Sequence, residues 1–337
     1  MSPGLVSVVA DRIAEHARAH SLDSVRVIFH GGEPLLTGVN PIVDALRKIR
    51  NAVDARVRVN AVVQTNGTLI SEEALDALEA LGIRVGISLD GDMAGHDLRR
   101  HYRNGRGSYA DVARGLKLLM ERPAIYAGLL SVIDLNSDPV ETYEALLKFA
   151  PPMIDLLLPH RNWLSPLERS TLAYAPYADW LITVFDRWYG APSRETRIRF
   201  FEELMHLMLG GQSGTEAVGL TPTSLIVVET DGSIEQTDAL KSVRQGAAET
   251  GLHVVPDAFD AALRLPSIAA RQIGVGALAR ECQSCEVRDV CGAGLYPHRY
   301  RPGTGFRNPS VYCADLFTLI LHIRDRLTSD LQALHHS

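Results

Sequence analysis

Through about residue 158, β-branched or alternating apolar runs take turns with stretches whose apolar residues recur at helical spacing. Strands are predicted at 25–29, 57–63, 84–89, 127–133 and 154–158. Helices are predicted at 41–52, 71–81 and 139–149, with a further helix capped near Ser108. Ser71 fits an N-cap with Glu72 and Glu73 in the first turn, and Gly82 fits the position just past the helix end. Before the first strand, Ser2 as N-cap and Pro3 at the first helical position open a helix that runs to about residue 20. Short loops and a steady strand-helix order predict an α/β fold built as a (β/α) barrel or part of one.

In such folds ligands bind at the C-terminal ends of the strands. Three successive ends are polar and glycine-rich: His30-Gly31-Gly32-Glu33-Pro34, Gln64-Thr65-Asn66-Gly67-Thr68 and Ser88-Leu89-Asp90-Gly91. The glycine pair lets backbone approach a ligand, and Glu33 offers a carboxylate suited to an ammonium group. His30 reads equally as a rim residue or a hydrogen-bonded core histidine. After a junction near 159–165, a helical bridge is expected over 171–210. A hairpin (224–228 with 233–236, turning at Asp231-Gly232) and a final amphipathic helix at 315–334 are expected after it. His16 and His20 lie one helical turn apart, but with no third ligand evident they read as a solvated face.

Composition narrows the classes. Of 337 residues, 46% are hydrophobic and 22% charged; the net charge of −6 argues against electrostatic binding of nucleic acid, and no uninterrupted apolar run is long enough to span a bilayer. A cytoplasmic address is expected. The four cysteines, Cys282, Cys285, Cys291 and Cys313, are spaced C-x2-C-x5-C-x21-C. With no export signal in view, this set reads as a metal site rather than disulfides, and from spacing alone zinc leads over a [4Fe-4S] cluster.

With these segments, His96-Asp97-x-x-Arg100, Gly105-x-Gly107-Ser108-Tyr109, Glu229 to Gln236, His298 to Arg301 and Asn308 to Cys313, the chain resembles radical S-adenosylmethionine enzymes with a C-terminal SPASM domain. Within that family it looks like the FxsB-type peptide maturases. The resemblance implies a partial (β/α)6 barrel over 1–160, a bridge over 161–215 and a small α+β iron-sulfur domain over 216–337. It also implies that Gly31, Gly32 and Glu33, followed by Pro34, hold the methionine amino group of the cofactor. Ser88 and Arg100 then face its carboxylate, with Asn66 and Asp90 on the same rim. The four cysteines become ligands of an auxiliary [4Fe-4S] cluster, reversing the order set by spacing, and Asp238 a candidate general base. The implied partners are a ribosomal precursor peptide, in which a side-chain cross-link is formed, and a flavodoxin or ferredoxin as reductant. An oxidation like that of anaerobic sulfatase maturases, or a non-catalytic peptide-binding scaffold with a structural metal, are the alternatives.

The chain departs from the pattern in two ways. Leu295 and Thr237 stand where thiols of a second auxiliary cluster would fall, so one cluster is expected. The family's C-x3-C-x2-C and the strand before it are missing, since no cysteine precedes Cys282; the expectation is that upstream sequence has been lost. These residues alone then could not hold the reactive cluster.

Overall fold

The computed structural model describes residues 1–167 and 174–335. Six parallel strands pair in chain order: β1 Ser24–Phe29, β2 Arg58–Thr65, β3 Arg84–Ser88, β4 Tyr126–Val132, β5 Met153–Leu157 and β6 Arg197–Ile198. The helices α1 Pro3–Ala19, α2 Asn40–Ala52, α3 Glu72–Glu79, α4 Met93–Arg99, α5 Tyr109–Met120 and α6 Pro139–Leu147 cover this sheet. β1 lies at the sheet edge and its residues alternate between exposed and half-buried, whereas Val85, Gly86 and Ile87 of β3 are all buried, as a central parallel strand requires.

Local chemistry sets the element ends. Ser2 Oγ accepts from Leu5 N at 3.3 Å and Ser71 Oγ from Ala74 N at 3.2 Å, each satisfying an orphan donor of a first turn. Gly82 closes α3 in the left-handed region, φ 61°. Ser108 does occupy the cap position of α5, but its hydroxyl makes no cap bond and instead donates to Arg100 O at 2.8 Å. Gly128 (φ 132°) pairs so closely with β5 that a Cβ there would meet Met153 O at 2.2 Å.

The sixth strand corrects the expectation of an all-helical bridge over 171–210. Arg197–Ile198 pairs with Met153 and Ile154 between α7 (Pro176–Tyr189) and α8 (Arg199–Met208). A two-residue strand is too short to show a period. The start of the expected bridge, 171–173, lies outside the described residues. One buried cluster runs from Leu35 through the sheet, α7 and α8 to Ile323. Trp180 and Trp188 are buried and Trp163 half-buried, and all three spend their N–H groups on carbonyls: Trp163 on Pro309, Trp180 on Ser137, Trp188 on Thr196.

The expected hairpin is present as β7 Val227–Val228 and β8 Ser233–Glu235, and a third strand not expected from sequence, β9 Glu249–His253, completes a small antiparallel sheet. The short helices α9 Phe259–Leu263 and α10 Pro266–Ala269 follow. Then come α11 Arg280–Gln283 and α12 Arg288–Cys291 in the cysteine segment, and α13 Cys313–His335. Asp315 of α13 accepts from Tyr177 N at 2.8 Å and Ala178 N at 3.2 Å, capping α7 across the fold.

Candidate functional site

All barrel strands point the same way, so their C-terminal ends share one rim, and side chains stitch adjacent ends together. Glu33 caps the 3-10 turn Pro34–Thr37, accepting from Leu35 N at 2.9 Å, and takes Thr65 Oγ1 at 2.7 Å on the same oxygen. Its second oxygen accepts from Asn66 N at 2.9 Å. A carboxylate offers about four lone-pair sites. These three donors leave one for an incoming ammonium. Asn66 spends its side-chain carbonyl on Thr68, N and Oγ1, at 3.0 and 2.8 Å.

The next joint is Gln64 Nε2 to Ser88 Oγ at 3.2 Å, made possible because a Cβ at Gly86 would lie 2.4 Å from Gln64 Oε1. Asp90 ties β3 to β4 by accepting from Val132 N at 2.9 Å, and its other oxygen takes Arg100 Nε at 2.6 Å. Arg100 is thus held by its inner nitrogen while the group stays about one third exposed.

His96 explains the His-Asp-x-x-Arg segment. It is fully buried and burial pushes its pKa down, so the ring is neutral. Asp90 N donates to Nδ1 at 3.3 Å, leaving Nε2–H to donate to Ser108 Oγ at 3.0 Å, and Ser108 in turn donates to Arg100 O. Asp97 accepts from Tyr109 N at 2.8 Å, and a Cβ at Gly107 would lie 2.0 Å from Asp97 Oδ2. Sequence reasoning placed His96, Asp97 and Ser108 in a motif without giving them these bracing roles.

A Cβ at Gly31 (φ 134°) or Gly32 would meet no protein atom within 4 Å. Their backbone therefore faces open space, with Pro34 starting the turn behind it. The open glycine backbone and the remaining acceptor position of Glu33 offer a site to an ammonium group, and the one-third-exposed Arg100 offers a guanidinium to a carboxylate. The sequence holds four cysteines, and none precedes Cys282.

Asp238 approaches the rim from the C-terminal part. Its Oδ2 stands 3.4 Å from His30 Nδ1 at the end of β1, with side chains 40% and 51% exposed, so His30 is a rim residue and not a core histidine. Lys241 neutralises the surroundings, pairing with Glu229, with Glu235 at 2.8 Å and with Asp238 at 3.2 Å. Thr237 is buried beside Asp238, and Leu295 precedes the 3-10 turn Tyr296–Arg299.

Cys282, Cys285, Cys291 and Cys313 line one cavity, closed by Val287, Ala293, Ser310 and Phe317. Burial, with Cys313 adding to it, pushes the Cys282 thiol up to about 11; burial pushes Cys291 up to about 12. Thiols this hard to ionise become thiolates when a positive centre binds, which is the chemistry of a metal or iron-sulfur site. After Cys291 the chain turns through three left-handed residues, Gly292, Ala293 and Gly294. Arg299 ties that turn down by donating to the carbonyls of Gly292, Ala293 and Gly294 at 2.6, 3.1 and 2.6 Å.

Residues 2–146, which carry β1 to β4, match the family model of the Radical SAM superfamily. In sequence the chain is 27% identical over 218 residues to the cysteine-type anaerobic sulfatase-maturating enzyme of Clostridium novyi, covering 62% of this chain and 58% of that protein. It is 26% identical over 281 residues to the serine-type enzyme of Klebsiella aerogenes, covering 81% and 67%. Its fold matches native anSMEcpe with bound AdoMet and Kp18Cys peptide at a TM-score of 0.83 and 21% identity, over 99% of this chain and 91% of that one. The chain thus spans a little over half the length of the Clostridium novyi relative.

Proposed function

We propose that this chain supplies the cofactor rim and auxiliary-cluster domain of a radical S-adenosylmethionine maturase that oxidises a side chain in a ribosomal peptide, forming a cross-link. The observation that carries this reading is the meeting of Asp238 with His30 on a rim whose glycine backbone is open. Gly31, Gly32, Glu33 and Pro34 would hold the cofactor's amino group, Ser88 and Arg100 its carboxylate, with Asn66 and Asp90 keeping those groups in place. When bound beside a reactive cluster, the cofactor supplies a carbon radical that takes one hydrogen atom from the peptide.

Asp238 accepts the proton lost from the peptide as the new bond forms, and His30 is placed to pass it to solvent; the 3.4 Å separation tightens when substrate excludes water. Cys282, Cys285, Cys291 and Cys313 would hold a [4Fe-4S] cluster, which would supply an acceptor for the remaining electron, and a flavodoxin or ferredoxin would serve as reductant. One hydrogen atom, one proton and one electron together account for the two hydrogens lost in a cross-link. Among the described residues no helix is long and apolar enough to cross a membrane.

Similarity to sulfatase-maturating enzymes favours a second reading, the same hydrogen removal used to oxidise a Cys or Ser side chain. The full-length protein, reconstituted anaerobically with iron, sulfide, cofactor and reductant, is to be incubated with the peptide encoded beside it. Loss of two hydrogens with a new inter-residue link in fragment spectra is expected. An aldehyde at a single residue would select the second reading, and an unchanged peptide would refute both.

A further inference from the structure

His16 on α1 and His20, which caps its C-terminal end, sit one turn apart, facing α9. Folding supplies the third group that their spacing did not reveal: Asp260 of α9 lies between them, with His16 Nδ1 2.6 Å from Oδ1 and His20 Nε2 3.0 Å from each carboxylate oxygen. One donor atom from each residue falls within 4.8 Å of the others. Tetrahedral zinc with ligands at about 2.0–2.2 Å sets its donor atoms roughly 3.4 Å apart. To admit such an ion, the His16–Asp260 and His20–Asp260 pairs each need to open by less than about 1 Å.

Two imidazoles and a carboxylate are a donor set for zinc and its neighbours in the first transition row. The side chains are 31%, 40% and 35% exposed, so an ion has an entry path and water can complete its shell.

The positions are fixed before any ion arrives. Leu5, Val8, Val9 and Ile13 of α1 pack on the cluster of Ile234, Val254 and Phe259. Arg12 donates to the carbonyls of Val254 and Val255, both at 2.9 Å, and Phe259 stands edge-on to the His16 ring. Preorganisation of this kind lowers the ordering cost of binding. The carboxylate group at Glu229, Glu235 and Asp238 differs, because Lys241 already occupies its centre.

We propose that His16, His20 and Asp260 bind a divalent transition-metal ion, zinc foremost, which clamps α1 to the C-terminal part of the chain. The proposal is independent of the maturase reading. The test uses protein whose cysteine site has been loaded anaerobically, dialysed against zinc at neutral pH beside His20→Ala and Asp260→Asn. Asp260→Asn keeps the side chain's shape while removing its charge, and melting in chelator checks that each variant is folded.

Wild type should carry one more zinc per chain than either variant, whatever fills the cysteines, and each variant's zinc affinity should fall at least about tenfold. Zinc should raise the melting temperature of wild type alone. Equal zinc counts in wild type and a folded variant would overturn the proposal.

Discussion

Replacing Gly292 with alanine tests the cysteine cavity by a single methyl group. Gly292 follows Cys291 with φ 56° and ψ 18°, and a Cβ there would stand 1.7 Å from Gly219 O and 2.5 Å from Gly219 C. Both obstacles are backbone, so no side chain can swing away. Gly219 is itself held, donating to Val290 O at 2.9 Å. The left-handed conformation costs an alanine about 1–2 kcal/mol, and forcing the two segments apart about 1–3 kcal/mol more. The sum, roughly 2–5 kcal/mol, is a large share of the 5–15 kcal/mol typical of folded proteins. Urea unfolding of anaerobically reconstituted protein, read beside its iron content, should show Gly292→Ala destabilised by at least about 2 kcal/mol and depleted in iron. Wild-type stability together with wild-type iron would refute the close approach and the placement of Cys291 that depends on it.

Further outcomes follow from other contacts. Asp90→Ala strips acceptors from Val132 N and Arg100 Nε and should cost about 2–3 kcal/mol in urea unfolding, whereas a change below about 0.5 kcal/mol would mean the rim is not braced there. Asp238→Asn should lower the rate of peptide modification about 10²–10⁴-fold with little change in peptide affinity, followed by mass spectrometry and fluorescence anisotropy. His298 is buried, and that burial, with His160 and Arg299 nearby, pushes its pKa from the ordinary 6.5 to about 3. Below pH 6.5 the unfolded chain takes up a proton that the native chain refuses, so stability should fall between pH 6.5 and about 3. The slope is up to about 1.4 kcal/mol per unit, and His298→Phe should flatten it.

The five long strands were legible because their apolar runs and bounding glycines are local signals; each lies within about two residues of its expected span, as at 57–63 for Arg58–Thr65. β6 and β9 were not, since one has two residues and the other, Glu-Thr-Gly-Leu-His, shows no apolar alternation. Rim residues could be singled out by type and by position at strand ends. Their partners could not, because Glu33 meets Asn66, and Asp90 meets Val132, only after the sheet has formed. The same limit hid Asp260, far along the chain from His16 and His20. The neutral state of His96 depends on burial that no local pattern encodes.

Anaerobic purification followed by iron, acid-labile sulfide and zinc analysis tests the central claim most directly. The account predicts a brown protein with about four iron and four sulfide per chain at Cys282, Cys285, Cys291 and Cys313. A colourless, iron-free protein whose zinc persists in the His20→Ala variant would contradict it.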